Sequence, residues 1–168
     1  MFKSLLMIVI FLLAGSAVAG GRPCSTPEYR QFDFWLGNWN AFDDDGKGPD
    51  IARDQISSIL KGCVIRERYL QNDGHDGESF SIYDITRHVW YQSWVTNAGE
   101  LLILEGHFRN GMLTMYGHNL DKNGKPVWYR ATWQKQGEGV REIAYVSKDK
   151  GKSWQPDFDI LFLRRRQL

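Results

Sequence analysis

Cysteine is nearly absent: Cys24 and Cys63 are the only two in a chain of 168 residues. That scarcity excludes an all-sulfur zinc or iron–sulfur site, and the wide spacing is unlike a Cys-x-x-Cys redox pair. Histidine is also sparse. His75, His88, His107 and His118 show no His-x-His or His-x-x-x-His spacing, so no metal centre is expected. The "DGHDG" turn around His75 lacks the spaced carboxylates and closing Glu of a calcium loop. There is no Gly-x-Ser-x-Gly elbow, no phosphate-binding glycine loop and no Cys-His pair, which leaves no residue to assign as catalytic and no cofactor to expect. An excess of charge is missing too, with 21 Lys and Arg against 20 Asp and Glu. The one basic cluster is Arg164, Arg165 and Arg166 at the C-terminus, so nucleic acid is not an expected partner.

Long apolar runs are missing as well. The longest, Leu5 to Ala14, has ten residues, about half of what crosses a bilayer. Preceded by Lys3 and followed by "AVA" at Ala17 to Ala19, it predicts a signal peptide over residues 1–19, cleaved after Ala19. The expectation is a protein that does not span the membrane, exported to the periplasm or secreted, with one domain over residues 20–168. Export also gives the two cysteines a role. In an oxidising compartment Cys24 and Cys63 are expected to form a disulfide, pinning the N-terminal arm to the domain and contributing about 4 kcal/mol in the chain-entropy model.

Alternation is what the sequence has in quantity. After Trp39, short stretches rich in aromatic and β-branched residues recur at 52–60, 63–71, 78–85, 89–96, 101–108, 112–118, 126–135, 139–147 and 157–165. The turns between them, such as "NAG" at Asn97, "NG" at Asn110 and "QGEG" at Gln136, are too short for crossover helices. Neighbouring strands are therefore antiparallel, and nine or ten of them in a meander predict an up-and-down β-barrel whose closure removes exposed edges.

Turn chemistry also predicts which side chains face inward. Asn110-Gly111 suits a type I′ hairpin pairing Arg109 with Met112, which places Leu102, Leu104, Phe108, Leu113 and Met115 on one apolar face. The three-residue Asn97-Ala98-Gly99 loop pairs Trp94 with Leu102 and brings Trp90 and Gln92 to that face. Phe158, Ile160 and Phe162 alternate toward the same interior from the last strand, followed by Arg164.

"SKDKGKSW", Ser147 to Trp154, matches the Asp-box of sialidase propellers, but it occurs once and no period of 20 to 50 residues exists. It is expected to be a hairpin turn before the last strand. Gly37-x-Trp39 with Arg164 resembles the calycin signature of lipocalins and fatty-acid-binding proteins. That resemblance implies that Arg164 packs on the Trp39 ring and that the pair plugs a barrel end. More broadly, "PE-x-RQFDFW-x-G-x-W" at Pro27 to Trp39, "IL-x-GC" at Ile59, "W-x-Q-x-W" at Trp90 and "R-x-TW" at Arg130 resemble a family of exported lipocalin-like bacterial proteins of unknown function. The resemblance implies a fold, not an activity. The opening also resembles the nitrobindin-like haem barrels, but their glycine-rich run and late His are missing here, which argues against haem.

Glu67 alternates with Ile65 and Tyr69 and is expected to point inward, where a carboxylate needs a partner. Arg130 and Gln92 are the expected partners, with Tyr83 beside them. The leading functional expectation is a barrel that binds a small, largely apolar or amphipathic molecule. Trp94, Leu102, Leu104, Met115 and Phe162 would line it, with Glu67, Tyr83, Gln92 and Arg130 at a polar head. One alternative is a cofactor-independent calycin-type enzyme, an isomerase, hydratase or decarboxylase using Glu67 as acid or base and Arg130 as anion holder. Another is a non-enzymatic envelope protein with a filled barrel and an exposed patch including Tyr29 and Trp35.

Overall fold

The computed structural model describes residues 23–43 and 46–165. The expected signal peptide, Asp44 and Asp45 of the acidic turn, and Arg166 lie outside the described residues. Ten antiparallel strands form one closed barrel in strict sequence order, the last pairing with the first. They are β1 (Gly37–Asp43), β2 (Asp50–Ile59), β3 (Val64–Gln71), β4 (Asp76–Asp84), β5 (Val89–Thr96), β6 (Leu101–Arg109), β7 (Met112–Leu120), β8 (Pro126–Gln136), β9 (Gly139–Ser147) and β10 (Gln155–Arg164).

The hairpins form where the turn residues require them. Asn110 and Gly111 both take positive φ (52° and 80°), and Arg109 faces Met112 while Phe108 faces Leu113. Gly99 is left-handed at φ 82°, and Trp94 pairs with Leu102. Period-two alternation then carries Leu104, Leu113 and Met115 inward, each at most 3% exposed. The Asp-box is a turn between β9 and β10. The Asp149 carboxylate accepts from the Ser153 hydroxyl and backbone N–H, and the Ser147 hydroxyl accepts from the Gly151 N–H at 2.8 Å.

The two barrel ends differ. One is stoppered by the N-terminal arm, two 3-10 turns at Pro27–Arg30 and Asp33–Trp35 that lie across it. Phe32 and Trp35 are fully buried, stacked at 4.9 Å, and Phe32 meets Trp90 and Trp133 edge to face, each at 5.7 Å. The Trp39 indole N–H donates to the Trp35 carbonyl at 2.8 Å, and that of Trp90 to the Gln31 side chain at 3.0 Å. Arg164 lies 4.2 Å from the Trp39 ring centroid. Gly37, at φ 146°, gives that guanidinium its room: a Cβ there would lie 2.1 Å from Arg164 Nη1. The Cys24–Cys63 disulfide ties the arm to the start of β3, and Arg30 donates to the Gly62 carbonyl beside it.

Tyr29 and Trp35 are therefore core residues, 7% and 0% exposed, and do not belong to an exposed patch of the kind the envelope-protein alternative offered them for. An aromatic side chain on a short arm buries more apolar area in the mouth of a barrel than any surface position offers it.

Candidate functional site

Inside the barrel the inward side chains form layers. Nearest the plug, Trp39, Ile56, Trp90, Leu113, Trp133, Val140 and Phe162 leave almost nothing exposed. At the opposite end Trp94 on β5, Leu102 on β6, Tyr129 on β8 and Ile160 on β10 face the interior yet remain half-buried. Trp94 leans across Gly77, where a Cβ would sit 2.3 Å from the ring, and meets Tyr69 edge to face at 6.1 Å. The absence of a side chain at Gly77 lets the indole lie along the wall.

The middle layer is polar. Glu67 on β3 is 5% exposed and accepts a 2.5 Å hydrogen bond from the Ser79 hydroxyl of β4. Gln92 on β5 donates to Ser79 at 3.4 Å and to Ser81 at 3.1 Å, so it joins Glu67 through a serine. Two further acids complete the layer. Asp54 on β2 alternates inward between Ala52 and Ile56, is 3% exposed, and neither of its carboxylate oxygens receives a full hydrogen bond, although the Gln55 backbone lies close enough to oppose its rise in pKa. Glu142 on β9 alternates inward between Val140 and Ala144 and is half-buried.

Burial raises all three carboxyls, Glu67 to about 7 and Asp54 and Glu142 well above the ordinary range. Mutual repulsion adds to this: Glu67 raises both Asp54 and Glu142, and Glu142 raises Asp54. The Trp133 indole opposes the rise at Glu142, although its N–H, itself buried, reaches no full hydrogen bond. The Tyr69 phenol is pushed up by burial, then by Glu142, Asp54, Glu67 and Asp43. Among the described residues, no guanidinium or ammonium contributes to holding any of the three acids ionised.

Arg130 is not the partner expected for Glu67. Val127, Ala131 and Trp133 are the buried, inward set of β8, which turns Arg130 to the outer wall. There its guanidinium lies 4.3 Å from the Tyr145 ring centroid and 4.9 Å from that of Trp154, the last residue of the Asp-box. Tyr83 is inward but sits by the plug, edge to face with Tyr29 at 5.5 Å, with its hydroxyl 3.4 Å from His88 Nδ1. Phe162 likewise lies in the plugged layer, against Trp35 at 6.1 Å. Trp94 and Leu102 remain on the half-buried wall of the open half, Glu67 and Gln92 lie in the polar middle layer, and Leu104 and Met115 are sealed in the core.

Asp54 and Glu142 are the site residues that the sequence reading did not single out. Alternation, the signal that exposed Glu67, was present for both. A broad surface depression lies elsewhere, on the outer wall of β6 and β7 beside Ile103, Tyr116, His118 and Trp128. It opens broadly to solvent, and no cluster of His, Cys, Asp or Glu among the described residues is arranged to hold a metal ion.

Fold and chamber together define an all-β, closed, ten-stranded barrel of lipocalin-like architecture, with one end sealed by aromatics and an acidic layer at mid-depth. No protein-family model matches the chain, and no curated protein matches it.

Proposed function

We propose that the protein is an exported binding barrel that takes a small, largely apolar or amphipathic molecule through the end opposite the aromatic plug. The observation that carries this reading is the gradient of burial along the interior. Plug-side residues are sealed, whereas inward-facing Trp94, Leu102, Tyr129, Ile160 and Glu142 still meet solvent. A barrel filled for stability alone would be packed along its whole length. Apolar walls around a few polar groups are the usual make-up of a small-molecule site. The Cys24–Cys63 disulfide supports work in an oxidising compartment, periplasmic or extracellular, and no described helix is long and apolar enough to cross a membrane.

The test pairs native mass spectrometry of the exported protein, purified without detergent, with titration of a neutral fluorescent probe, N-phenyl-1-naphthylamine. Probe binding that quenches tryptophan emission is expected, and Leu102→Trp, which fills the open half, is expected to weaken it tenfold or more. A probe that binds Leu102→Trp as well as the parent protein would place binding outside the barrel and defeat the reading.

A further inference from the structure

The middle layer narrows the class of ligand, an inference that rests on the interior-binding reading above. Asp54 is 3% exposed with neither carboxylate oxygen receiving a full hydrogen bond. A buried acceptor left unmade costs on the order of 1–3 kcal/mol, a loss that a bound donor would recover. The arginines of β3, β8 and β9 all lie on the outer face of the barrel wall. Arg66 and Arg68 pair outside with Glu78, Arg141 pairs with Asp159, and Arg130 stacks on Tyr145 and Trp154. Among the described strand residues that alternate inward beyond the plug layer, the charged ones are all acidic: Asp43 from β1, Asp54 from β2, Glu67 from β3 and Glu142 from β9. Tyr69 and Trp94 add ring faces beside them, which attract cations and repel anions.

We infer that the middle layer is a cation subsite, in which Asp54, Glu67 and Glu142 receive the ammonium group of a small amphipathic amine. Its apolar part lies along Trp94, Leu102 and Tyr69 toward the open end. An ammonium carries three donors and no acceptor, which fits Asp54's empty oxygens, and it supplies the positive charge that no side chain brings. Burial and mutual repulsion bias the three carboxyls toward their protonated forms in the empty barrel, so an arriving ammonium, which favours the charged forms, displaces protons into solvent, with Asp43 at the rim and the Tyr69 phenol as the remaining titratable neighbours. A divalent metal is a poorer match because no three of these donors are arranged to ligate one ion, whereas an ammonium needs one carboxylate in direct contact, here Asp54, and gains from the others as nearby negative charge.

The experiment compares three probes of one shape by isothermal titration at pH 7.5: 2-phenylethylamine, 2-phenylethanol and 3-phenylpropionate. The amine is expected to bind at least tenfold more tightly than the alcohol, and the carboxylate most weakly. Heats measured in phosphate and in Tris are expected to differ by the ionisation of released protons. Asp54→Asn and Glu142→Gln, both close in shape to the parent residues, are expected to reduce amine affinity tenfold while leaving the alcohol within twofold. If alcohol and amine bind alike, the cation subsite is overturned and interior binding stands. If none of the three binds below millimolar and N-phenyl-1-naphthylamine also fails, both are overturned. The wild-type comparison alone decides these outcomes should a variant not fold.

Discussion

At the scale of single residues, the interior acids make this barrel's stability run with pH in an unusual direction. A carboxyl whose pKa is higher folded than unfolded contributes stability that is complete below its unfolded value and lost as pH rises through its folded one. For Glu67 that window runs from 4.5 to about 7, and the raised Asp54 and Glu142 act in the same direction. The ligand-free protein is therefore expected to melt at a higher temperature at pH 5 than at pH 8. Asp54→Asn removes one buried charge without changing shape, so it should stabilise the protein at pH 8 by on the order of 1–3 kcal/mol and do little at pH 5. Thermal scans across pH 5 to 8 check this; a melting temperature that rises with pH in the parent protein would mean that the acids are already satisfied. Gly37 gives a second residue-scale prediction. With φ at 146° and Arg164 Nη1 where a Cβ would stand, Gly37→Ala combines backbone strain with loss of the Trp39 contact. About 2–4 kcal/mol of destabilisation is expected by chemical denaturation.

At the scale of strands and turns, legibility followed the chemistry of the connections. Asn110-Gly111 and the Asn97 loop each permit one register, and register fixes every inward residue of β5, β6 and β7. Those strands could be read in full before any coordinates. The β8 strand could not, because its flanking turn segments, "DKNG" and "QGEG", admit more than one loop length and so more than one register. Arg130 was consequently assigned to the wrong wall by an argument from what Glu67 needed, when the aromatic alternation Tyr129, Ala131, Trp133 already turned it outward. Asp54 and Glu142 stayed hidden for a related reason. Each stands next to, or one position from, an arginine, so the local sequence resembles a solvated charge pair although Arg53 and Arg141 belong to the opposite face. The plug was legible only as a motif, since nothing in "RQFDFW" specifies that Phe32 and Trp35 enter the barrel mouth.

The corrected place of Arg130 changes what its removal should do. Between Tyr145 and Trp154 it fastens the Asp-box turn to the outer wall of β8 and β9. Arg130→Ala is expected to cost about 1–2 kcal/mol of stability through the lost ring contacts. Binding of probes inside the barrel should stay within twofold of the parent. A loss of binding with unchanged stability would instead return Arg130 to the ligand site.

At the scale of the whole molecule, one end of the barrel is built to open and the other to stay shut, and the disulfide belongs to the second. Closing the 39-residue separation between Cys24 and Cys63 is worth about 4 kcal/mol in the chain-entropy model, but its position matters as much as its size. The arm between Cys24 and Gly37 carries Phe32 and Trp35 into the barrel mouth, and with both ends tied it leaves only when the strands themselves separate. Replacing both cysteines by serine frees one end, so the arm gains an opening of its own below the global transition. Hydrogen exchange distinguishes the two effects. In the parent protein the Trp35 and Leu36 amides, bonded to Phe32 and Asp33, should exchange as slowly as those of β8 and β9. In Cys24→Ser/Cys63→Ser the whole barrel should lose about 3–4 kcal/mol, and the arm amides should exchange at least tenfold faster than those strand amides. Arm amides that stay as protected as the strands would mean that aromatic packing alone holds the plug and that the disulfide stabilises the chain without gating its closed end.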